Sequence, residues 1–521
     1  MKNNRSLVLA LTPLILLGAV QTNSFAKKPV RKPNILFALA DDQSYPYASA
    51  YGTKGISTPA FDQVAKSGIL FSSAFVAAPQ CSPSRAAILT GKNIWQLEEA
   101  GTHGSYFPKK FTVFTDLLEQ AGYGVGYTGK GWDPGNWKDA GRSRNPAGPE
   151  YSEKLVENSP TTGISSIDYF ANFVAFYEKK APGQPFFFWY GSHEPHRVYE
   201  QNSGLRAGKK PQDAYLPSFL PDDAVSRNDI NDYALEIEYF DQQLAKILAF
   251  LKEKGELDNT LVVVTADNGM SFPSAKANLF EFGSHVPLAI SWPAAIRPGQ
   301  KSDKLVSLID LAPTFLELGE VKEKPEMTGT SLGNLLLQRD PGTGDSYILT
   351  GRERHTHARP DNLGYPARAI RNTHYLYVLN MKSDRWPAGD PDEGGASKRA
   401  PGQDKGYFDI DDSPTKQLMI NNRDKWPALF AEGFEKRAEE QLFDIQKDAG
   451  CTTNLAADSR YEVVRKAMKD QLLQLLKEQK DPRVTGNGDI FESYPRFGAM
   501  KAFPGFSKKG EYNENFKNSK Q

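Results

Sequence analysis

Asn34-Ile35-Leu36-Phe37-Ala38-Leu39-Ala40-Asp41-Asp42 is a nearly unbroken apolar run that stops at two adjacent carboxylates. A strand with one wet face alternates apolar and polar residues; an unbroken run predicts a strand buried on both faces, as in a parallel sheet. Similar short runs occupy 124–127, 185–190, 260–265 and 286–291. Helical patterns separate them. The longest spans 229–254, where Tyr233, Ile237, Phe240, Leu244, Ile247, Leu248 and Leu251 form one apolar face and Gly255 marks a stop. Shorter helices are predicted at 58–67, 84–90, 112–121 and 308–318. Strands alternating with helices imply an α/β fold: a large mixed, mostly parallel sheet sandwiched by helices.

Beyond about 342 the character changes, which predicts a smaller C-terminal α+β domain. Strands are expected at 347–350 and 375–379, a long surface insertion at 383–412, and an amphipathic helix at 461–479. The expected division is a signal peptide at 1–26, a catalytic domain at 27–341, a C-terminal subdomain with a small antiparallel sheet and helix at 342–506, and a polar, disordered tail at 507–521. Lys2 and Arg5 precede an apolar run from Leu7 to Val20, and Ser24-Phe25-Ala26 offers a cleavage site. The mature protein is therefore expected to be exported, periplasmic or secreted, with no membrane association after cleavage. Lysine plus arginine equals aspartate plus glutamate at 63 each, so overall charge predicts no nucleic-acid partner and any anion binding must be local.

Two adjacent aspartates inside a strand point to opposite faces, but at a strand end the backbone turns and both can converge. The run 261–265 likewise ends in Asp267-Asn268-Gly269. The carboxyl ends of strands are where α/β sheets bind ligands. Asp41, Asp42, Asp267 and Asn268 form an all-oxygen set suited to calcium or magnesium rather than zinc. Read alone, Asp-Asn-Gly is also an ordinary turn.

The chain has two cysteines, Cys81 and Cys451, and an exported protein would ordinarily join them. Cys81, however, opens Cys81-Ser82-Pro83-Ser84-Arg85-Ala86-Ala87-Ile88-Leu89-Thr90-Gly91. Pro83 suits a first helical turn with Ser82 as cap, which puts residue 81 at a helix N-terminus, where free N–H groups favour anions. Arg85 can fold back to the same point as a fixed cationic fork.

Cys-x-Pro-Ser-Arg followed by Leu-Thr-Gly resembles the sulfatase signature, in which the cysteine is oxidised to formylglycine. The resemblance covers nearly the whole mature chain and implies an alkaline-phosphatase-like fold and a secreted sulfuric ester hydrolase. It also implies one calcium ion on Asp41, Asp42, Asp267, Asn268 and residue 81. Lys130 in Thr128-Gly129-Lys130-Gly131 and Lys276 match the family's sulfate-binding lysines. His196 in His193-Glu194-Pro195-His196-Arg197 matches the histidine beside the leaving oxygen. Within the family the chain looks nearest to heparan N-sulfatase and its bacterial polysaccharide-degrading relatives, some of which act on ulvan. The implied substrate is a sulfated oligo- or polysaccharide, carrying an O-sulfate or an N-sulfate. The implied maturation partner is a formylglycine-generating or anaerobic sulfatase-maturating enzyme. The implied chemistry is attack by the hydrated aldehyde on sulfur, a covalent sulfo-enzyme intermediate, and protonation of the leaving alcohol by His196 or Lys276.

One position departs from the family. A histidine is usual two residues after the first lysine, and here Trp132 stands there. His103 or Asp133 could take its place. Substrate contacts are further expected from His193, whose other reading is a structural histidine, and from Arg354 and His355 (with Arg352) reaching over from the second domain, whose other reading is a surface charge cluster. Trp95, Trp132 and Trp137 could stack on sugar rings, and packing in the core is the alternative for each. The competing functions are a phosphatase or phosphodiesterase of the same superfamily, and a sugar-binding homologue without activity.

Overall fold

The computed structural model describes residues 1, 32–323, 325–339, 347–391, 406–501 and 503–517. The expected signal peptide, apart from Met1, and the expected junction near 342 lie outside them. Among the described residues no helix is long and apolar enough to cross a membrane.

The main sheet has eight strands: β1 (Asn34–Ala40), β2 (Ile69–Phe75), β3 (Gly124–Gly129), β4 (Phe186–Gly191), β5 (Thr260–Ala266), β6 (His285–Ser291), β7 (Gln300–Ser302) and β8 (Val306–Ser307). Their order is β3-β4-β1-β5-β6-β2-β7, with β8 also on β2. β1 lies between β4 and β5, parallel to both, and all seven of its residues are buried, as its unbroken apolar run requires. β6 runs antiparallel to β5 and β2, so the sheet is mixed but mostly parallel.

Helices cover both faces. Phe187 and Tyr190 are three residues apart on β4 and therefore point to opposite sides. Phe187 packs 5.8 Å from Phe315 of the helix Leu311–Leu318, whereas Tyr190 stacks 5.1 Å from Phe240 of the 30-residue helix Ala224–Glu253. β2 escaped the sequence reading because Ser72 and Ser73 break its apolar run at a register shift between Phe71 and Ala74.

A second sheet is fully antiparallel, in the order β12-β11-β10-β9, from β9 (Ile348–Arg352), β10 (Ala367–Arg371), β11 (Tyr375–Asn380) and β12 (Glu440–Asp444). The helix Glu462–Glu478 packs on it. Two expectations for this half are corrected. The stretch 383–412 is not simply a surface insertion: residues 392–405 lie outside the described ones, but Phe408, Asp409 and Ile410 are buried, and Asp409 accepts hydrogen bonds from buried Arg352 and Arg359. The polar tail also packs. The Tyr512 hydroxyl donates to Glu99 (2.8 Å), the Asn513 N–H donates to the Ser493 carbonyl (2.8 Å), and Glu514–Lys517 is helical.

Arg368 ties β10 to the segment after the last long helix. It is fully buried and donates to both Asp481 oxygens (2.7 and 3.1 Å) and to Glu353 (2.7 Å). Removing one partner of a buried network strands the others, which costs about 3–5 kcal/mol. Arg368→Ala should lower unfolding stability by about that amount in urea titration; a loss under about 1 kcal/mol, the range of an exposed pair, would show that the network is not load-sharing.

Candidate active site

The sheet's hydrogen bonding runs on past β1 and β5 and delivers the acidic groups together. Ala40 pairs with Ala266; the next N–H of β5, on Asp267, donates to the Ala40 carbonyl (3.1 Å), and the Asp41 N–H donates to the Glu194 carbonyl (3.0 Å). Asp42 then adopts φ 73°, a left-handed conformation uncommon for a side-chain-bearing residue. That turn lets adjacent Asp41 and Asp42 converge. Carboxylate oxygens of Asp41, Asp42 and Asp267 lie within 4.8 Å of one another, and all three residues are at most 1% exposed.

The helix Cys81–Thr90 presents its first turn to this cluster. It begins two residues earlier than a Ser82 cap would place it: Gln80 is the cap residue, and the Ser82 hydroxyl instead accepts the Gly104 N–H (3.0 Å). Cys81 Sγ sits 3.5 Å from Asp41 Oδ1 and 3.9 Å from Asp42 Oδ1. Burial pushes its thiol well above the ordinary range, although Lys130 and Lys276 pull the other way. An unmodified thiol here stays protonated and is a poor nucleophile. Cys81 and Cys451 are both free and buried, so no disulfide joins them.

Each acid has a basic partner. Lys130 Nζ lies 2.5 Å from Asp41, Lys276 Nζ 2.7 Å from Asp42, and Arg85 Nε 2.6 Å from Asp267. Burial disfavours the Asp41 carboxylate, but Lys130, His196 and Arg85 together hold it well below its usual range. Arg85 also donates to the carbonyls of Lys130 (2.6 Å) and Gly131 (2.9 Å), while its buried Nη2 has no hydrogen-bond partner. Lys130 is placed by a close approach of β3 and β4: its N–H donates to the Gly191 carbonyl (2.8 Å), and a Cβ on Gly191 would stand 2.0 Å from the Lys130 oxygen. The 267–278 loop is tied to the turn before Cys81 by the Ala277 N–H on the Pro79 carbonyl (2.8 Å).

These groups open into a cleft of about 610 Å³. His196 lines it with Nε2 3.8 Å from Asp42, its Nδ1 being engaged by the Arg197 carbonyl (2.5 Å). His193, His103, Asp133 and His355 also line the cleft. His103 and His355 rings stand 4.6 Å apart, and burial, reinforced by His355 and Arg496, holds the His103 imidazole neutral.

The sulfatase family model matches residues 33–321, more than half of the chain. The chain belongs to the sulfatase family. The sulfatase is 28% identical over 511 residues to N-sulphoglucosamine sulphohydrolase of Homo sapiens, covering 89% of this chain and 93% of that one. It is 28% identical over 458 residues to an ulvan-active sulfatase of Formosa agariphila, covering 86% and 81%. Its fold matches the solved structure of BT4656 in complex with its substrate D-glucosamine-2-N,6-O-disulfate at a TM-score of 0.63 and 18% identity, over 87% of this chain and 99% of that one. Membership makes the protein a sulfuric ester hydrolase.

Two expected substrate contacts stand elsewhere in this sulfatase. Trp132 is 1% exposed; its indole N–H donates to the Ser82 carbonyl (2.9 Å) and its ring packs edge-on to Phe107, so it braces the helix that carries residue 81. Arg354 is buried and donates to the carbonyls of Tyr494 (2.7 Å) and Pro495 (2.9 Å). Arg352 is occupied by Asp409, and neither Trp95 nor Trp137 lines the cleft. The sequence reading missed Asp411, which lines the cleft 3.6 Å from Lys276 Nζ and accepts from the Ser271 hydroxyl. Burial opposes its charge, but Lys276 and His196 keep it ionised. Its one local signal was the pair of apolar residues Phe408 and Ile410 within a polar stretch; both are buried, in a turn that carries Asp411 to the cleft.

The residues fit a divalent cation. Three buried carboxylates converge, and Asn268 turns its Nδ2 to Asp42 (2.7 Å) while its buried Oδ1 has no partner. An oxygen set of this kind suits calcium. Calcium at a hundred times its Kd should raise unfolding stability by about 2.7 kcal/mol, reversibly with chelator. Asn268→Ala should shrink that gain in a thermal-shift titration; an unchanged melting curve with calcium would contradict the assignment.

Proposed function

We propose that this sulfatase is exported and hydrolyses sulfate groups, O-linked or N-linked, on a sulfated oligo- or polysaccharide of the glycosaminoglycan or ulvan type, with formylglycine at residue 81 and one calcium ion. The observation that carries this reading is the position of Cys81: a buried thiol at a helix mouth, 3.5 Å from Asp41 and 3.9 Å from Asp42, beside a cluster of three acids and three cations. Formylglycine, made from Cys81 by a formylglycine-generating or anaerobic sulfatase-maturating enzyme, supplies as its hydrate one hydroxyl to attack sulfur and a second through which the covalently held sulfate is released, with calcium as Lewis acid.

The chain's own groups do the rest. With a cation held by Asp41, Asp42, Asp267 and Asn268, Lys130 and Lys276 no longer have those carboxylates to themselves and can donate to the sulfuryl oxygens. Arg85 remains fixed by the Lys130 and Gly131 carbonyls, with Nη2, which makes no hydrogen bond, 3.8 Å from Asp41. These donors are in place before the reaction, which is where electrostatic catalysis gains most. His196, one-third exposed and with Nε2 facing the acid cluster, protonates the departing alcohol. His103 and Asp133 are the cleft groups available for the task of the missing family histidine. The similarity of relatives named for N-sulphoglucosamine and ulvan supports a sugar substrate.

Purified, matured enzyme assayed on a nitrophenyl sulfate, its phosphate analogue and sulfated oligosaccharides should hydrolyse sulfates and spare the phosphate; preference for phosphate would favour the superfamily's phosphatases, and no hydrolysis at all a sugar-binding homologue. His196→Ala should cost about a hundred-fold or more in kcat on a sugar sulfate, whose leaving group needs a proton, and far less on the nitrophenyl ester. Equal losses on both would remove His196 from the acid role.

A further inference from the structure

Arg496 enters the same cleft from the far end of the chain, and no carboxylate among the described residues forms an ion pair with it. It lines the cleft together with Cys81, Lys276 and His355 and is 6% exposed. Its Nη1 donates to the His355 carbonyl (2.6 Å) and lies 3.4 Å from His103 Nδ1, and Nε donates to the Ala499 carbonyl (3.3 Å). Nη2 makes no hydrogen bond to any described residue. The acid that acts on it, Asp409, is already bonded to Arg352 (2.8 Å) and Arg359 (2.7 Å). Burial lowers the guanidinium to about 10, which leaves it charged at neutral pH.

The other cations of the cleft are all matched. Lys130 and Lys276 hold Asp41 and Asp42, and Arg197 holds both oxygens of Asp229 (2.7 and 2.8 Å). A buried cation without an opposing charge costs several kcal/mol in a folded protein, so the position calls for an anion from outside. The fork is also held in advance. Arg354 grips the carbonyls of Tyr494 and Pro495 just before it, and the Phe497 N–H just after it donates to the Gly104 carbonyl (2.7 Å). Arg354 adds a second buried positive charge behind the first, with carbonyls as its partners and no carboxylate within ion-pairing distance among the described residues. A planar guanidinium so fixed suits a carboxylate or sulfate, both of which it can bind through two parallel N–H groups.

We infer that Arg496 anchors a second anionic group of the saccharide, distinct from the sulfate being hydrolysed, so that the substrate class is a doubly anionic sugar unit bearing a further sulfate or a uronate carboxylate. This rests on the sulfatase reading above. His355, Asp411 and Arg496 all lie beyond residue 321, where the family match ends, so this wall of the cleft belongs to the part of the chain that the family model does not describe.

The test compares matured wild-type enzyme on three saccharides that share one scissile sulfate: one with no other charge, one with a second sulfate, one with a uronate. The expected result is a kcat/KM about ten-fold or more higher for at least one doubly anionic substrate, mainly through KM. The preferred member identifies the anion. Arg496→Gln should collapse that ratio toward one, while Arg496→Lys retains part of it. Equal kcat/KM on all three substrates in the wild type would overturn the anchor while leaving the sulfatase reading intact, and it requires no variant to fold. A ratio unchanged in Arg496→Gln would also overturn it. Hydrolysis of none of the three would overturn the sulfatase reading and the anchor with it.

Discussion

Three carboxylates and three cations occupy one buried volume at the carboxyl ends of β1, β3 and β5, and each acid has its own base: Asp41 with Lys130, Asp42 with Lys276, Asp267 with Arg85. Burying six charges is unfavourable relative to an apolar core of the same shape, because desolvation of each ion exceeds what a single partner returns. Such a cluster is therefore poor evidence of stability and good evidence of chemistry. It also constrains what the site can bind. Bases held by resident carboxylates are not free to neutralise a sulfate. A divalent cation on the carboxylates changes that balance, and Asn268, with a buried Oδ1 that no protein group satisfies, has an oxygen ready for it.

Much of the fold serves to hold these charges still. The ladder between β1 and β5 continues into Asp41 and Asp267, the left-handed turn at Asp42 brings its carboxylate back to its neighbour, and the helix from Cys81 is braced beneath by Trp132. The region of the second sheet contributes the opposite wall. It is fixed by its own buried arginines, Arg368 and Arg483 on Glu353, Asp481 and Glu492, and by Arg352 and Arg359 on Asp409. The proposed catalytic groups thus gather at the end of the first sheet, whereas Arg496, the proposed second anion anchor, comes from the second region.

The parts of this arrangement legible in the sequence were those with a local signature. An unbroken apolar run ending in Asp41-Asp42 announces both a buried strand and a ligand at its tip, and the period of 229–254 gives the long helix. The helix after Cys81 is announced by Pro83 and stopped at Gly91, which takes φ 65°. What stayed hidden depended on long-range partners. Trp132 reads as a sugar platform until Ser82 and Phe107 are seen to enclose it. Arg354 reads as a substrate contact or as one member of a surface charge cluster until the carbonyls of Tyr494 and Pro495 are found around it. Asp411 sits in a polar stretch whose composition suggests an insertion, although the apolar Phe408 and Ile410 beside it were a faint sign of burial. Nothing local distinguishes Arg496 in Tyr494-Pro495-Arg496 from any other arginine; only the lack of an ion-paired carboxylate among the described residues does.

The central claim is that residue 81 works as an oxidised cysteine rather than as a thiol, and mass spectrometry of the peptide spanning 81–85 from catalytically active protein addresses it directly. A peptide about 18 Da lighter than the cysteine form is the result this account requires, since sulfur and two hydrogens leave and one oxygen enters. Full sulfate-ester turnover by protein whose residue 81 is wholly unmodified cysteine would contradict it.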